Sequence, residues 1–203
     1  LLGAYDPTFA ATVRMNVSGA STVKANAFAS YKGQGQLNVS GDSVVRIDRT
    51  REDLVLRQTE QGTVSFDGAT LTPNNDRYWA DWFTFNSGLA IGPGGLTVDC
   101  LEAGTLDGKP TGSGTVVKTG AGTLVLATGD SQIEGSFVVA EGGLELGGAL
   151  AAASGWVRVL TAASFDGVEE ALGSRYKCRF VEAGNGLTAL EVKSVGGLIL
   201  IFR

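Results

Sequence analysis

Apolar and polar residues alternate along most of this chain in short runs, and almost every run ends at a glycine or a small polar turn. Thr12–Val17, Gln36–Val39, Ser43–Asp48, Asp53–Arg57 and Thr63–Phe66 follow this pattern. So do Leu96–Val98, Thr115–Lys118, Thr123–Leu126, Ser136–Ala140 and Leu144–Leu146. A period of two predicts strands with one face buried, and the glycines mark corners where the backbone needs positive φ. Helical periodicity is almost absent. Val168–Leu172 (VEEAL) predicts at most a turn or two of helix. Strands that follow one another without helical crossovers fit either an antiparallel sandwich or a β-helix.

An internal repeat favours the β-helix. Arg14–Ala27 reads RMNVSGASTVKANA and Gln36–Arg49 reads QLNVSGDSVVRIDR, 22 residues later. Asn, Val, Ser, Gly, Ser and Val recur identically, and Met15/Leu37, Lys24/Arg46 and Asn26/Asp48 keep their chemistry. A unit of this size is too small to bury its own apolar face, so it must stack on a neighbour like itself. About seven such coils, spaced about 4.8 Å apart, would make a shaft on the order of 35 Å long.

Three segments break the pattern. Asn74–Phe85 (NNDRYWADWFTF) is dense in aromatics and charge and reads as a loop or inserted strand on the flank of the solenoid. Ala149–Ser154 reads as a small-residue hinge. From Trp156 onward the runs lengthen to WVRVLTA, RYKCRFVEA, LTALEVKS and GLILIFR, which predict a meander of four antiparallel strands covering an open end of the solenoid. The expected division is a β-helix domain over residues 1–150 and a C-terminal β cap over 151–203, its strands starting at Trp156.

Composition narrows the chemistry. The chain has 203 residues, 30 of them glycine and only 4 proline, and 43% are hydrophobic, which argues against collagen and against disorder. Formal charge is −5 and no basic run is visible, so nucleic acid is not an expected partner. Histidine is absent, which removes the commonest general base, the usual nucleophile triads and most zinc sites. No cofactor and no metal site is expected. Cys100 and Cys178 are not in CxxC spacing. They form a candidate disulfide if the chain is exported, or remain free as small core residues. No run is long enough to span a bilayer as a helix, so membrane insertion of this segment is not expected. The opening LLGAYDP is neither a methionine start nor a charged leader, and suggests a segment of a longer precursor.

Gly112–Leu146 reads GSGTVVKTGAGTLVLATGDSQIEGSFVVAEGGLEL. This resembles the autotransporter-associated β-strand repeat of bacterial surface and secreted proteins, whose repeat runs G-x-G-x-L-x-K-x-G-x-G-T-L-x-L, then a polar turn, then a strand and G-x-L-x-L. Gly112, Gly114, Lys118, Gly120, Gly122, Thr123, Leu124 and Leu126 match the first half. Gly143 (or Gly142), Leu144 and Leu146 match the end. Asp130 stands where the family has Asn, Gln132 replaces an aromatic and Glu134 replaces a glycine. The resemblance implies a right-handed parallel β-helix, export, a place outside the cell or on its surface, and no catalytic residues. In such a stack Leu124, Leu126, Leu144 and Leu146 point inward, with Val138 or Val139 on the strand between. A polar substitution at Leu124 or Leu146 is expected to do more damage than one at Lys118.

Several candidate sites remain. Asn16-Val17-Ser18 and Asn38-Val39-Ser40 fit the glycosylation sequon, but both asparagines share one repeat position, which predicts a turn cap or an amide ladder. Tyr78, Trp79, Trp82 and Phe83, with Asp81 beside them, are a candidate sugar-stacking or partner-contact platform; the alternative is a loop folded onto the solenoid flank. Leu198, Ile199, Leu200, Ile201 and Phe202 form a candidate assembly strand. The expected fold is all-β, a right-handed parallel β-helix (solenoid) with a C-terminal antiparallel cap. The expected function is a non-catalytic structural or adhesive stalk, surface or matrix component, with self-association, other surface proteins or glycans as partners. An extracellular filament subunit and a carbohydrate-binding or polysaccharide-acting β-helix are the alternatives.

Overall fold

The computed structural model describes residues 12–25, 34–47, 63–72, 89–106, 109–126 and 129–195. Within them the chain winds as a parallel β-solenoid. The first three levels pair β1 (Thr12–Val17) with β2 (Thr22–Ala25), β3 (Gln34–Ser40) with β4 (Val44–Ile47), and β5 (Thr63–Asp67) with β6 (Ala69–Thr72). The next three carry a third strand each: β7 (Leu89–Ile91), β8 (Leu96–Asp99) and β9 (Ala103–Leu106); β10 (Pro110–Gly112), β11 (Val116–Thr119) and β12 (Thr123–Leu126); β13 (Ser131–Ile133), β14 (Phe137–Val139) and β15 (Gly143–Leu146). A helical turn, α1 (Gly148–Ala152), leads to β16 (Val157–Ala162) and β17 (Phe165–Asp166). Then come α2 (Val168–Leu172), a 3-10 turn, β18 (Tyr176–Gly184) and β19 (Leu187–Ser194).

Strands at equivalent positions stack into three sheets, ordered β1-β3-β5-β7-β10-β13-β16-β19-β18, β17-β14-β11-β8-β6-β4-β2 and β15-β12-β9. The repeat sets the first register: Asn16 pairs with Asn38 and Val17 with Val39, 22 residues apart as the text repeats. The same column then passes through Ser65, Ala90, Thr111 and Gln132 to Thr161 without a slip. That is seven parallel strands, or about 29 Å at about 4.8 Å per level.

Alternation explains which residues fill the core. Val17, Val39, Phe66 and Ile91 stack inward from the first sheet, and Val45, Leu71 and Val98 from the second. In the third, Leu124 lies on Leu144 and Leu126 on Leu146, all four buried as the repeat implied. Of the two candidate valines between them, Val139 is buried together with Phe137, while Val138 is half-exposed. Each such buried side chain contributes roughly 1.5–3 kcal/mol.

The C-terminal end differs from a four-strand meander. β16 pairs in parallel with β13 on one side and antiparallel with β19 on the other, and β17 still pairs in parallel with β14. Parallel winding therefore runs past residue 150. β19 lies between β16 and β18, so those two consecutive runs are not neighbours in the sheet. A wide parallel sheet turns antiparallel here because β18 and β19 form a hairpin: the two-residue turn Asn185-Gly186 has φ of 54° and 74°, the geometry that Asn-Gly supplies. The fourth run, from Leu198, lies outside the described residues. α2 packs on β15 and β14 with Val168 and Leu172 buried, closing that end of the core.

Candidate functional site

The chemistry-bearing residues fall into four groups. The first is Lys118, whose side chain is fully buried at 0% exposure. It stands in an inward column between Val98 and Val139. Its Nζ donates to the backbone carbonyls of Gly120, Gly122 and Glu141 at 2.5, 2.6 and 2.7 Å. Those carbonyls line the corner between the second and third sheets, and that of Gly122 also accepts the Gly143 N–H of the next level at 3.2 Å. Lys118 is therefore not a surface position: it ties two successive levels together inside the core. Gly142 stands against it. Its φ of 78° suits glycine, and a Cβ there would run into Lys118 Nζ and the carbonyls of Gly120 and Gly122.

Polar ladders make up the second group. Asn38 Nδ2 donates to Asn16 Oδ1 at 2.8 Å, and Ser65 Oγ donates to Asn38 Oδ1 at 2.9 Å. Arg14 Nε donates to Gln36 Oε1 at 2.7 Å, two residues earlier on the same strands. The shared asparagine position is thus an outward amide ladder. At the following corner Ser43 Oγ donates to the carbonyls of Ser40 and Gly19, 2.8 and 3.0 Å away. Asp130, where the family resemblance has Asn, adopts φ of 57°, a conformation both residues tolerate.

The cysteines are the third. Cys100 is buried in the core and Cys178 half-buried under the cap, and both are free thiols. Cys100 follows β8, while β18 lies beyond β16, at least three levels further along the stack. That is about 14 Å along the axis, where a disulfide needs Cα atoms within about 7 Å. Burial pushes the Cys100 thiol up to about 11, against a smaller lowering by Lys118. Burial also raises Cys178, with Glu169 and then Glu170 adding to the effect.

A cluster on the outer face of the C-terminal sheet is the fourth, and sequence reading missed it. Arg158, Glu191 and Arg179 stand side by side on β16, β19 and β18. Arg179 donates Nε and Nη2 to Glu191 Oε2 at 2.9 and 2.6 Å, and Arg158 Nη2 reaches Oε1 at 3.4 Å. The hydrogen bonds from Arg179, ahead of the attraction of both guanidinium groups, hold the Glu191 carboxyl below its usual range. The Arg179 guanidinium also lies 4.4 Å from the Trp156 ring centre, and Trp156 stays 39% exposed. The signal was there: alternation in RYKCRF and LEVK places Lys177, Arg179, Glu191 and Lys193 on one face.

A groove of about 250 Å³ separates the third sheet from α2, with Thr123, Leu144, Glu145, Leu172 and Arg175 among its walls. Its acid and base are already paired, Arg175 to Glu145 at 2.7 Å. Among the described residues no group of three His, Cys, Asp or Glu converges on one point, and no helix is long and apolar enough to cross a membrane. Tyr78, Trp79, Asp81, Trp82 and Phe83, and the strand Leu198–Phe202, lie outside the described residues. No family model, curated protein or solved structure matches this chain.

Proposed function

We propose that this chain is a non-catalytic structural or adhesive rod, exported by a bacterium and standing at the cell surface or in the surrounding matrix. One observation carries the reading: seven strands hold a single register from Asn16 to Thr161, so the molecule is a stack whose length grows with each repeat. Two further features support it. The motif positions are spent on architecture, with Lys118 on three carbonyls and Asn16, Asn38 and Ser65 on one another. The resemblance of Gly112–Leu146 to the autotransporter-associated repeat gives export its place in the reading. Turns between levels can then vary without disturbing the ladder, which suits a shaft that presents loops.

Surface location is tested by labelling intact cells of the source organism with a membrane-impermeant amine reagent. Lys24, Lys109, Lys177 and Lys193 are exposed and available to it. The chain should be labelled while a cytoplasmic marker is not. Labelling that appears only after lysis would remove the proposal.

A further inference from the structure

The outer face of the C-terminal sheet concentrates positive charge in a chain whose formal charge is −5. Register lays two rows across its three strands. One spans all three, Arg158, Glu191 and Arg179; the other, two residues along, sets Lys193 opposite Lys177, and Trp156 is the residue just before β16. Four cations thus share one carboxylate. Glu191 already engages both arginines. Lys177 and Lys193 are different: both are exposed, they stand directly opposite one another, and neither has an ion-pair partner among the described residues. Like charges directly opposite on neighbouring strands destabilise the pair. An anion lying between them reverses the sign of that interaction.

We propose that this face docks an acidic polysaccharide, with sugar carboxylates on Lys177 and Lys193 and a ring against the exposed part of Trp156. Charge complementarity supplies the attraction. Trp156 is held in place by Arg179 and offers an apolar surface with polar groups around it, the combination that a ring with hydroxyl substituents needs. The spacing of about 4.8 Å between strands lets neighbouring lysines meet neighbouring sugars. Duplex nucleic acid fits less well. Proteins that bind it typically neutralise roughly six to ten phosphates, and two uncommitted lysines do not provide that. The inference gives the adhesive reading a ligand class, but its test is binding in solution, so it fails or survives apart from surface labelling.

The test uses the full chain and polygalacturonate, with methyl-esterified polygalacturonate and a DNA duplex as comparison probes, followed by titration calorimetry. Wild type should bind polygalacturonate, more weakly as salt rises, and should not bind the ester. The double substitution Lys177→Gln, Lys193→Gln should weaken binding by about tenfold or more while leaving the melting temperature unchanged or higher, because it relieves a repulsion. Trp156→Ala should weaken binding roughly threefold to fivefold. Absence of polygalacturonate binding, unchanged binding in the double variant, or equally tight binding of the duplex would overturn the proposal.

Discussion

Lys118 is the residue whose role departs most from its type. Alternation does reveal its direction: Val116 points inward, so Lys118 two positions on must as well. What the pattern hides is the reason a charge is tolerated there, since the three carbonyls come together only when one level winds over the next. Lys118→Met keeps length and apolar bulk but takes the ammonium donor from all three carbonyls, leaving Gly122 only its bond from Gly143 N–H. It should cost about 2–4 kcal/mol, since hydrogen bonds to charged groups are worth about 1.5–3 kcal/mol each and do not add fully. Leu124→Ala should cost a similar amount, about 2–5 kcal/mol, and Lys24→Met at an exposed position within about 0.5 kcal/mol. Urea unfolding of the three variants checks the order; a Lys118→Met variant as stable as Lys24→Met would show that the buried ammonium carries no structural weight.

At the scale of elements, alternation picked out β4, β8, β11, β12, β14 and β15, but not the four-residue strands β2, β6 and β9 or the three-residue strands β7, β10 and β13. β7, β10 and β13 hold LAI, PTG and SQI, too short to show a period, and they become strands because longer neighbours in the same column hold their register. α2 was legible from VEEAL, whereas the place of β19 between β16 and β18 was not, because alternation gives faces and not strand order. The cap sheet also carries the clearest dependence on pH. The Glu191 carboxyl is held below its usual value of about 4.3, chiefly by hydrogen bonds from Arg179. A carboxyl lowered by folding stabilises the fold above its unfolded value and loses that contribution as pH falls through the folded one. Between about pH 5 and pH 3, the protection of β18 amides, taken relative to the intrinsic exchange rate at each pH, should therefore fall more than that of β11 amides. In Glu191→Gln this difference between the two strands should shrink. An equal loss of protection in β11 and β18 in wild type would show that the pair does not hold the cap.

Over the whole molecule, the repeat of 22 residues foretold both the stacking and its first register. It did not foretell the uneven rise that follows: Asn38 pairs with Ser65 after 27 residues, whereas Thr111 pairs with Gln132 after 21. Insertions between levels leave a ladder intact when they lengthen a turn rather than a strand, so sequence spacing varies while spatial spacing does not. Only distances can test that claim. With Cys100→Ala and Cys178→Ala as background, spin labels on the outward pair Asn16→Cys and Thr111→Cys span four levels; those on Asn16→Cys and Gln132→Cys span five. Pulsed electron resonance should give backbone separations of about 19 Å and about 24 Å, a step of one strand spacing for 21 residues of chain. Separations that do not lengthen from the first pair to the second, or that fall outside the range of a single column, would contradict the stacked solenoid itself.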